Sequence, residues 1–357
     1  MTSIHQIAAG FSLNDAISNE ALALRALFRS WGHDAQIIAP RRRIHPDLRE
    51  GIVEFESYQE NPGTDDLLLL HLSTGSPVNE AFAALPGRKI IRYHNVTPPH
   101  YFEGGFSRIA AELAEGRRQV EALVGTADIH LAVSQFNAEE LKTMGYPDAT
   151  VIPILLQPDV YQPVDESLVQ RYRDGLFNVL FVGRGAPNKR IEDLLHAFHV
   201  FQTCVEPQSR LIHVGSYDVT RKYYDALLAL ARNLGIQHFV PLGSVGQNKL
   251  NAAYRCADLF LCLSEHEGFC IPLLEAMRHD LPVMAYDAGA VRETMDGAGI
   301  LIREKRFDQI AEMMGKLARD PGFKANIVAG QRERIERIEA LDLEQQWRKT
   351  LEPVLNL

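Results

Sequence analysis

Two glutamates, Glu267 and Glu275, bracket the segment Glu-Gly-Phe-Cys-Ile-Pro-Leu-Leu-Glu, with Gly268 and Pro272 between them. The apolar run Leu259–Leu263 just before it has the length and composition of a buried strand. After it, Pro272 followed by Leu273, Leu274, Ala276 and Met277 suits the start of a helix. Strand, glycine loop and helix N-terminus leave backbone N–H groups unpaired, and such groups favour an anion, typically a phosphate. One carboxylate then sits in the loop and the other on the first helical turn. That arrangement suits a ligand with a diphosphate at its centre and hydroxyl-rich groups at both ends, a nucleotide sugar. The plainer reading is a glutamate held by the helix macrodipole after an ordinary α/β loop.

Three other stretches carry polar chemistry at the ends of expected strands. Gly183-Arg184-Gly185-Ala186-Pro187-Asn188-Lys189-Arg190 follows the strand Asn178–Gly183. Arg184 as a fork and Lys189 as a point charge would both be drawn to a diphosphate. His94 ends the strand Lys89–His94 and precedes the stiff turn Asn95-Val96-Thr97-Pro98-Pro99. In open parallel sheets ligands meet the carboxyl ends of strands, which makes His94 a candidate. Gly10 closes a short strand over 3–10, and Asp15 lies in the polar loop Phe11–Ser18 before a helix at Asn19–Trp31. Asp15 there is either a hydroxyl ligand or a helix initiator. His71 and His130 fall inside apolar runs and read as strand residues.

The elements that must position these residues alternate along the chain. Runs at Ala35–Ile38, Asp66–Leu72, Ile129–Ser134 and Val151–Leu155 alternate with helical segments such as Ser107–Leu123 and Ala138–Met144. A second series follows at Leu211–Gly215, Phe239–Leu242, Val283–Tyr286 and Ile300–Ile302, and the tail from Gln309 reads as successive helices. This is the pattern of parallel sheets covered on both faces. Prolines and acids over Asp159–Gly175 read as a linker, so the expectation is α/β, with two doubly wound Rossmann-like domains facing across a cleft. A length of 357 residues fits two domains, and a formal charge of −9 argues against a nucleic-acid partner. No apolar run approaches the ~20 residues of a membrane span, and the first residues do not read as a secretory signal. The four cysteines show no Cys-x-x-Cys pairing, which suits reduced thiols in the cytoplasm and no metal centre.

With these residues together, the chain resembles glycosyltransferase family 4, whose members have the two-domain GT-B fold. The resemblance rests on Glu267 to Glu275 as that family's Glu-x7-Glu, on Gly183-Arg184 through Lys189 as its basic loop, and on Tyr93-His94-Asn95. It covers essentially the whole chain and is stronger in the second half. Gly10 lacks the Gly-Gly pair of many relatives, and Cys270 replaces a common glycine. The resemblance implies an N-terminal acceptor-side domain at 1–163, a donor domain at 164–342, and a final helix at about 343–357 that packs back onto the first. It implies retaining transfer from a nucleotide-diphosphate sugar, with His94, Arg184, Lys189 and Glu267 as catalytic residues. Arg184 and Lys189 would neutralise the leaving diphosphate, Glu267 would hold sugar hydroxyls, and Glu275 the ribose. His94 would contact the donor sugar and steady its oxocarbenium-like centre. Backbone amides of Phe269, Cys270, Ile271 and Leu273 would cradle the phosphates, with Gly10, Asp15, Gly183 and Gly268 completing the donor-binding set.

No Asp-x-Asp occurs, so neither a divalent metal nor another cofactor is expected. The segment His94-Asn-Val-Thr-Pro-Pro resembles bacterial enzymes of cell-surface polysaccharide and lipopolysaccharide synthesis, many of which use GDP-mannose or GDP-rhamnose. The acceptor would be a glycan or a lipid-linked sugar, the latter implying peripheral contact with the inner membrane face. Arg41–Arg43 and Arg117–Arg118 are the cations for that role or simply solvated surface. Two alternatives remain: a GT-B sugar-nucleotide epimerase, and a catalytically silent nucleotide-sugar-binding partner.

Overall fold

A computed structural model describes residues 3–13, 15–155 and 163–355 of the protein. It divides into two units, Met1–Gln157 with Asp342–Leu357, and Pro158–Leu341.

In unit 1 the order is β1 (Ile4–Ala8), α1 (Ala16–Ser30), β2 (Ile37–Ala39), β3 (Val53–Glu54), α2 (Phe55–Glu60), β4 (Leu67–Leu72), α3 (Pro77–Ala84), β5 (Arg88–Tyr93), α4 (Ser107–Ala122), β6 (Ile129–Ala132), α5 (Gln135–Thr143) and β7 (Thr150–Val151). The strands form one parallel sheet in the order β3-β2-β1-β4-β5-β6-β7. β1 and β4 are buried along their whole length; β4 accordingly reads as an apolar run interrupted only by His71, while β1 buries His5 and Gln6 among apolar neighbours.

Unit 2 follows with α6 (Glu166–Tyr172), β8 (Phe177–Val182), α7 (Ile191–Cys204), β9 (Ser209–Val214), α8 (Arg221–Asn233), β10 (Phe239–Gly243), α9 (Gln247–Cys256), β11 (Leu259–Cys262), α10 (Ile271–Arg278), β12 (Val283–Tyr286), α11 (Val291–Met295), β13 (Ile300–Ile302), α12 (Phe307–Arg319) and α13 (Pro321–Glu339). Its parallel sheet runs β10-β9-β8-β11-β12-β13. The order reverses between β8 and β11, so the loops after these two strands lie at the topological switch point, where doubly wound sheets open a crevice.

The last helix, α14 (Leu343–Leu355), belongs to unit 1. Its Trp347 and Leu351 are fully buried against Ile4 of β1, Leu24 and Phe28 of α1, and Leu69 of β4. The Arg92 guanidinium lies 5.1 Å from the centre of a Trp347 ring, so this helix also covers a buried charge.

Several local expectations change. Helix α1 begins at Ala16, inside the segment that reads as a polar loop, because Asp15 caps it by accepting from the Ser18 N–H at 3.0 Å and its hydroxyl at 2.9 Å. Where Val151–Leu155 reads as a strand, only Thr150–Val151 pairs. The Ile152 and Pro153 carbonyls instead accept from Arg92 at 2.7 and 3.2 Å. Part of the expected linker, up to Gln162, lies outside the described residues. The rest is not a linker: Glu166–Tyr172 forms α6, capped by Asp165 and burying Val169 and Tyr172, three residues apart on one helical face.

Candidate functional site

The loops after β8 and β11 are tied directly to each other. The Glu265 N–H donates to the Asn188 carbonyl at 2.9 Å, and the Asn188 side-chain amide reaches the His266 carbonyl at 3.4 Å. This pairing carries Lys189 onto Glu267, whose two carboxylate oxygens lie 2.7 and 2.8 Å from the lysine Nζ. Both side chains are largely buried, at 18% and 7% exposure. Burial works against the Lys189 charge, but the attraction of Glu267 outweighs it and holds the ammonium above its ordinary pKa.

The three cations of this loop, Arg184, Lys189 and Arg190, therefore differ. Arg190 is consumed by carboxylates, at 2.9 Å from Glu192, 3.2 Å from Asp193 and 3.4 Å from Glu265. Lys305 completes that cluster, 2.7 Å from Asp193 and 2.8 Å from Glu265. Lys189 shares one carboxylate, and its ammonium has three donors to spend. Arg184 is exposed and has no hydrogen-bond or ion-pair partner among the described residues. Next to it, Gly183 is held in place by His213, whose Nε2–H donates to the Gly183 carbonyl at 2.8 Å while its Nδ1 accepts from the Tyr217 hydroxyl at 2.7 Å. Burial keeps His213 neutral by lowering its pKa to about 4.

Helix α10 begins at Ile271, with Cys270 as its N-cap in the left-handed region at φ 70°. The N–H groups of Phe269, Cys270 and Ile271 have no partner among the described residues. Leu273 does not join them: its N–H closes the first turn onto the Cys270 carbonyl at 3.1 Å. Glu275 is the fifth residue of α10 and so stands on the second turn, not the first. It accepts from the Tyr254 hydroxyl at 2.7 Å. Burial and the neighbouring carboxylate hold Tyr254 well above its ordinary pKa, so it stays a donor.

The loop from Glu267 to Cys270 is pinned from behind. The Glu267 carbonyl accepts from the Ala290 N–H at 2.9 Å, and the Phe269 carbonyl accepts from the Thr294 hydroxyl. Gly289 makes this approach possible: it sits at φ 59°, and a Cβ there would stand 2.3 Å from the Glu267 carbonyl oxygen. The buried Cys270 thiol neighbours Cys262, and its hydrogen bond to that sulfur, with burial, pushes it well above the ordinary thiol pKa.

In unit 1, His94 follows β5 directly and its side chain is 3% exposed. Its Nε2 lies 2.9 Å from Nδ1 of His71 and 3.5 Å from a Glu20 carboxylate oxygen. Glu20 also accepts from Arg92 at 2.5 and 3.3 Å, in a fully buried pair. Burial and the nearby Arg92 charge hold His94 well below its ordinary pKa, so it is neutral. Gly10 lies just beyond β1, where an added Cβ would stand 3.2 Å from the Arg43 Cβ, and the Asp15 carboxylate is engaged in its cap.

Among the described residues, two groups bring three metal-type ligand atoms within 4.8 Å, namely Glu20, His71 and His94, and Cys262, Glu267 and Cys270. In each, the carboxylate is already paired with a cation, Arg92 or Lys189, which opposes a further positive charge. Four of the five arginines in the basic surface runs are paired, Arg41 with Glu54, Arg43 with Glu112, Arg117 with Glu140 and Arg118 with Glu115.

Sequence reasoning did not find Asn188, Tyr254, Gly289, Glu20 or Arg92. Glu20 and Arg92 are fully buried, and a charge at such a position is retained when paired, but the sequence does not single them out, since α1 and β5 carry other charges as well.

Residues 169–336 match the family model for glycosyl transferases group 1. An uncharacterized glycosyltransferase of Methanocaldococcus jannaschii is 33% identical over 153 residues, 42% of this chain and 38% of that protein. The GDP-mannose:cellobiosyl-diphosphopolyprenol alpha-mannosyltransferase of Xanthomonas campestris is 35% identical over 144 residues, 39% of this chain and 37% of that one. The chain thus matches well under half the length of either. Among solved structures, Anabaena HepE in complex with UDP and glucose aligns with a TM-score of 0.78 at 18% identity, over 99% of this chain and 100% of that one. Sucrose-phosphate synthase from Thermosynechococcus elongatus aligns equally well, with a TM-score of 0.78 at 17% identity over the full length of both. Its two Rossmann-like units give the chain the GT-B glycosyltransferase fold.

Proposed function

We propose that the protein is a retaining glycosyltransferase of family 4 that moves a hexose from a nucleotide-diphosphate sugar to a glycan or lipid-linked acceptor. The observation that carries this reading is the cluster at the switch point of unit 2. Three unpartnered N–H groups at the start of α10 occur in the same pair of strand-end loops as Lys189 and the unpaired Arg184. Helix-terminal amides with two cations match a diphosphate, and few other ligands need all of them. The mannosyltransferase among the relatives favours GDP-mannose as donor and a polyprenol-linked acceptor.

In this mechanism the amides of Phe269, Cys270 and Ile271 hold the phosphates. As the bond between the sugar and the diphosphate breaks, charge builds on the leaving oxygens, and Arg184 with the remaining Lys189 donor stabilises it. A divalent metal is then not required. Glu267, fixed by Lys189 and Gly289, holds sugar hydroxyls, and Glu275, oriented by Tyr254, holds the ribose. His94 contributes a contact to a sugar hydroxyl.

Thermal-shift measurement across GDP-, UDP-, ADP- and dTDP-sugars tests the reading, because a ligand that binds only the native state raises Tm. One nucleotide family should raise Tm, and its nucleoside without phosphates should not. No rise with any of them would remove the basis for a transferase.

A further inference from the structure

His94 holds a buried nitrogen that none of the described residues satisfies. Its Nδ1 is shielded from solvent and has no hydrogen-bond partner among the described residues. Whether that nitrogen is a donor or an acceptor decides what it can bind, and the surrounding hydrogen bonds settle this one step at a time. The side-chain amide of Gln6 donates to the Ala21 carbonyl at 2.9 Å, which turns its Oε1 the other way. That oxygen lies 2.9 Å from Nε2 of His71, and an amide oxygen only accepts, so His71 carries its proton on Nε2. His71 is fully buried in β4, and burial lowers its pKa to about 3, so it is neutral and its Nδ1 is a bare lone pair.

The His71 lone pair faces Nε2 of His94 at 2.9 Å, and the Glu20 carboxylate faces the same nitrogen at 3.5 Å. Two acceptors converge there, so Nε2 of His94 bears the proton. Because His94 is neutral as well, the lone pair is left on Nδ1.

We propose that Gln6 and His71 are positioning residues that fix His94 as the Nε2–H tautomer, so that its Nδ1 is a dedicated acceptor for a sugar hydroxyl. This rests on the glycosyltransferase reading for the identity of the ligand, though not for the tautomer. A buried acceptor without a donor is costly, and a ligand O–H removes that cost. The opposite tautomer would offer an N–H and select a ligand acceptor instead. The Gln6–His71–His94 line thus specifies a hydroxyl in which the oxygen donates its proton to the protein.

The test uses the full-length protein labelled with ¹⁵N-histidine, with the His94→Gln variant to assign the His94 signals. Long-range ¹H–¹⁵N spectra of the ligand-free wild type should show a pyrrole-type Nε2 and a pyridine-type Nδ1 for His94, and the same for His71. A protonated Nδ1 on His94, or an imidazolium, would overturn the proposal whatever the protein binds. GDP-mannose and UDP-glucose are then added, with GDP and UDP as arms that lack the sugar. The sugar nucleotide that raises Tm should move the Nδ1 signal of His94, and its nucleoside diphosphate should not. A Tm rise with Nδ1 unmoved would overturn the assignment of the acceptor, and an equal response to the nucleoside diphosphate would overturn its assignment to a sugar hydroxyl. Absence of any Tm rise would instead sink the transferase reading, and the ligand-free spectrum would still decide the tautomer. His71→Asn, whose amide oxygen can replace the lost lone pair, should keep the sugar nucleotide's affinity, whereas His71→Leu should weaken it ~5- to 10-fold, about one hydrogen bond's worth. Equal affinity in the two variants would overturn the positioning role.

Discussion

Replacing Lys189 by Met should destabilise unit 2 at neutral pH, and replacing Glu267 by Gln as well should restore much of the loss. Lys189 Nζ contacts both oxygens of Glu267, and the carboxylate has only 7% of its side chain exposed. Removing one member of a buried pair costs about 3–5 kcal/mol, because the other charge stays behind without compensation. Lys189 is 18% exposed, so water reaches part of the pair and a figure of about 2–3 kcal/mol is more suitable. At roughly 2–4 °C per kcal/mol for a domain of this size, Tm should fall by about 4–12 °C. The double variant leaves no stranded charge and should recover at least about 1 kcal/mol relative to the sum of the single variants. Differential scanning calorimetry of the four proteins measures the coupling. The double variant should nevertheless fail to respond to any nucleotide sugar, since one cation for the diphosphate is gone. Strict additivity of the two Tm losses would refute the pairing. A double variant that still binds the sugar nucleotide like wild type would refute the role of Lys189.

The Lys189 pKa is raised on folding, so its pair contributes fully below the unfolded value of about 10.5 and is lost as pH climbs through the folded one. The stability gap between wild type and Lys189→Met, followed by urea titration, should therefore stay flat near neutrality and close only in strong alkali. His71 and His94 behave oppositely: their folded pKa values are depressed, so the neutral state stabilises unit 1 above about pH 6.5 and this is lost on acidification. Each can contribute a slope of up to ~1.4 kcal/mol per pH unit, and a urea series for His71→Asn should show a shallower acid limb than wild type. Trp347→Ala empties the core beneath α14 and should cost about 3–5 kcal/mol, read as an early calorimetric transition for unit 1. Gly289→Ala should lower both Tm and sugar-nucleotide affinity, because its Cβ meets the Glu267 carbonyl and its φ disfavours any side chain.

The parallel sheets were legible because strands buried on both faces are almost wholly apolar, as Leu259–Cys262 is and as Leu67–Leu72 is apart from His71. The strand-end placement of Lys189, Glu267 and His94 followed from the same pattern. What pairs with what did not follow. Glu267 and Lys189 are far apart in sequence and meet only because β8 and β11 are neighbours in the sheet. Tyr254 reaches Glu275 from α9, and Gly289 supports Glu267 from the loop after β12, with no local signal in either case. Helix α6 was hidden by the prolines and acids around it, although Asp165 is an ordinary cap and Val169 and Tyr172 share a face. His71 looked like a plain strand residue because burial, not sequence, makes it a hydrogen-bond partner of His94.

A crystal structure with a bound nucleoside diphosphate would test the central claim most directly. The account predicts the two phosphates at the N–H groups of Phe269, Cys270 and Ile271, with Arg184 and Lys189 on their oxygens and the ribose at Glu275. A nucleotide bound elsewhere, or phosphates out of reach of all three amides, would contradict it.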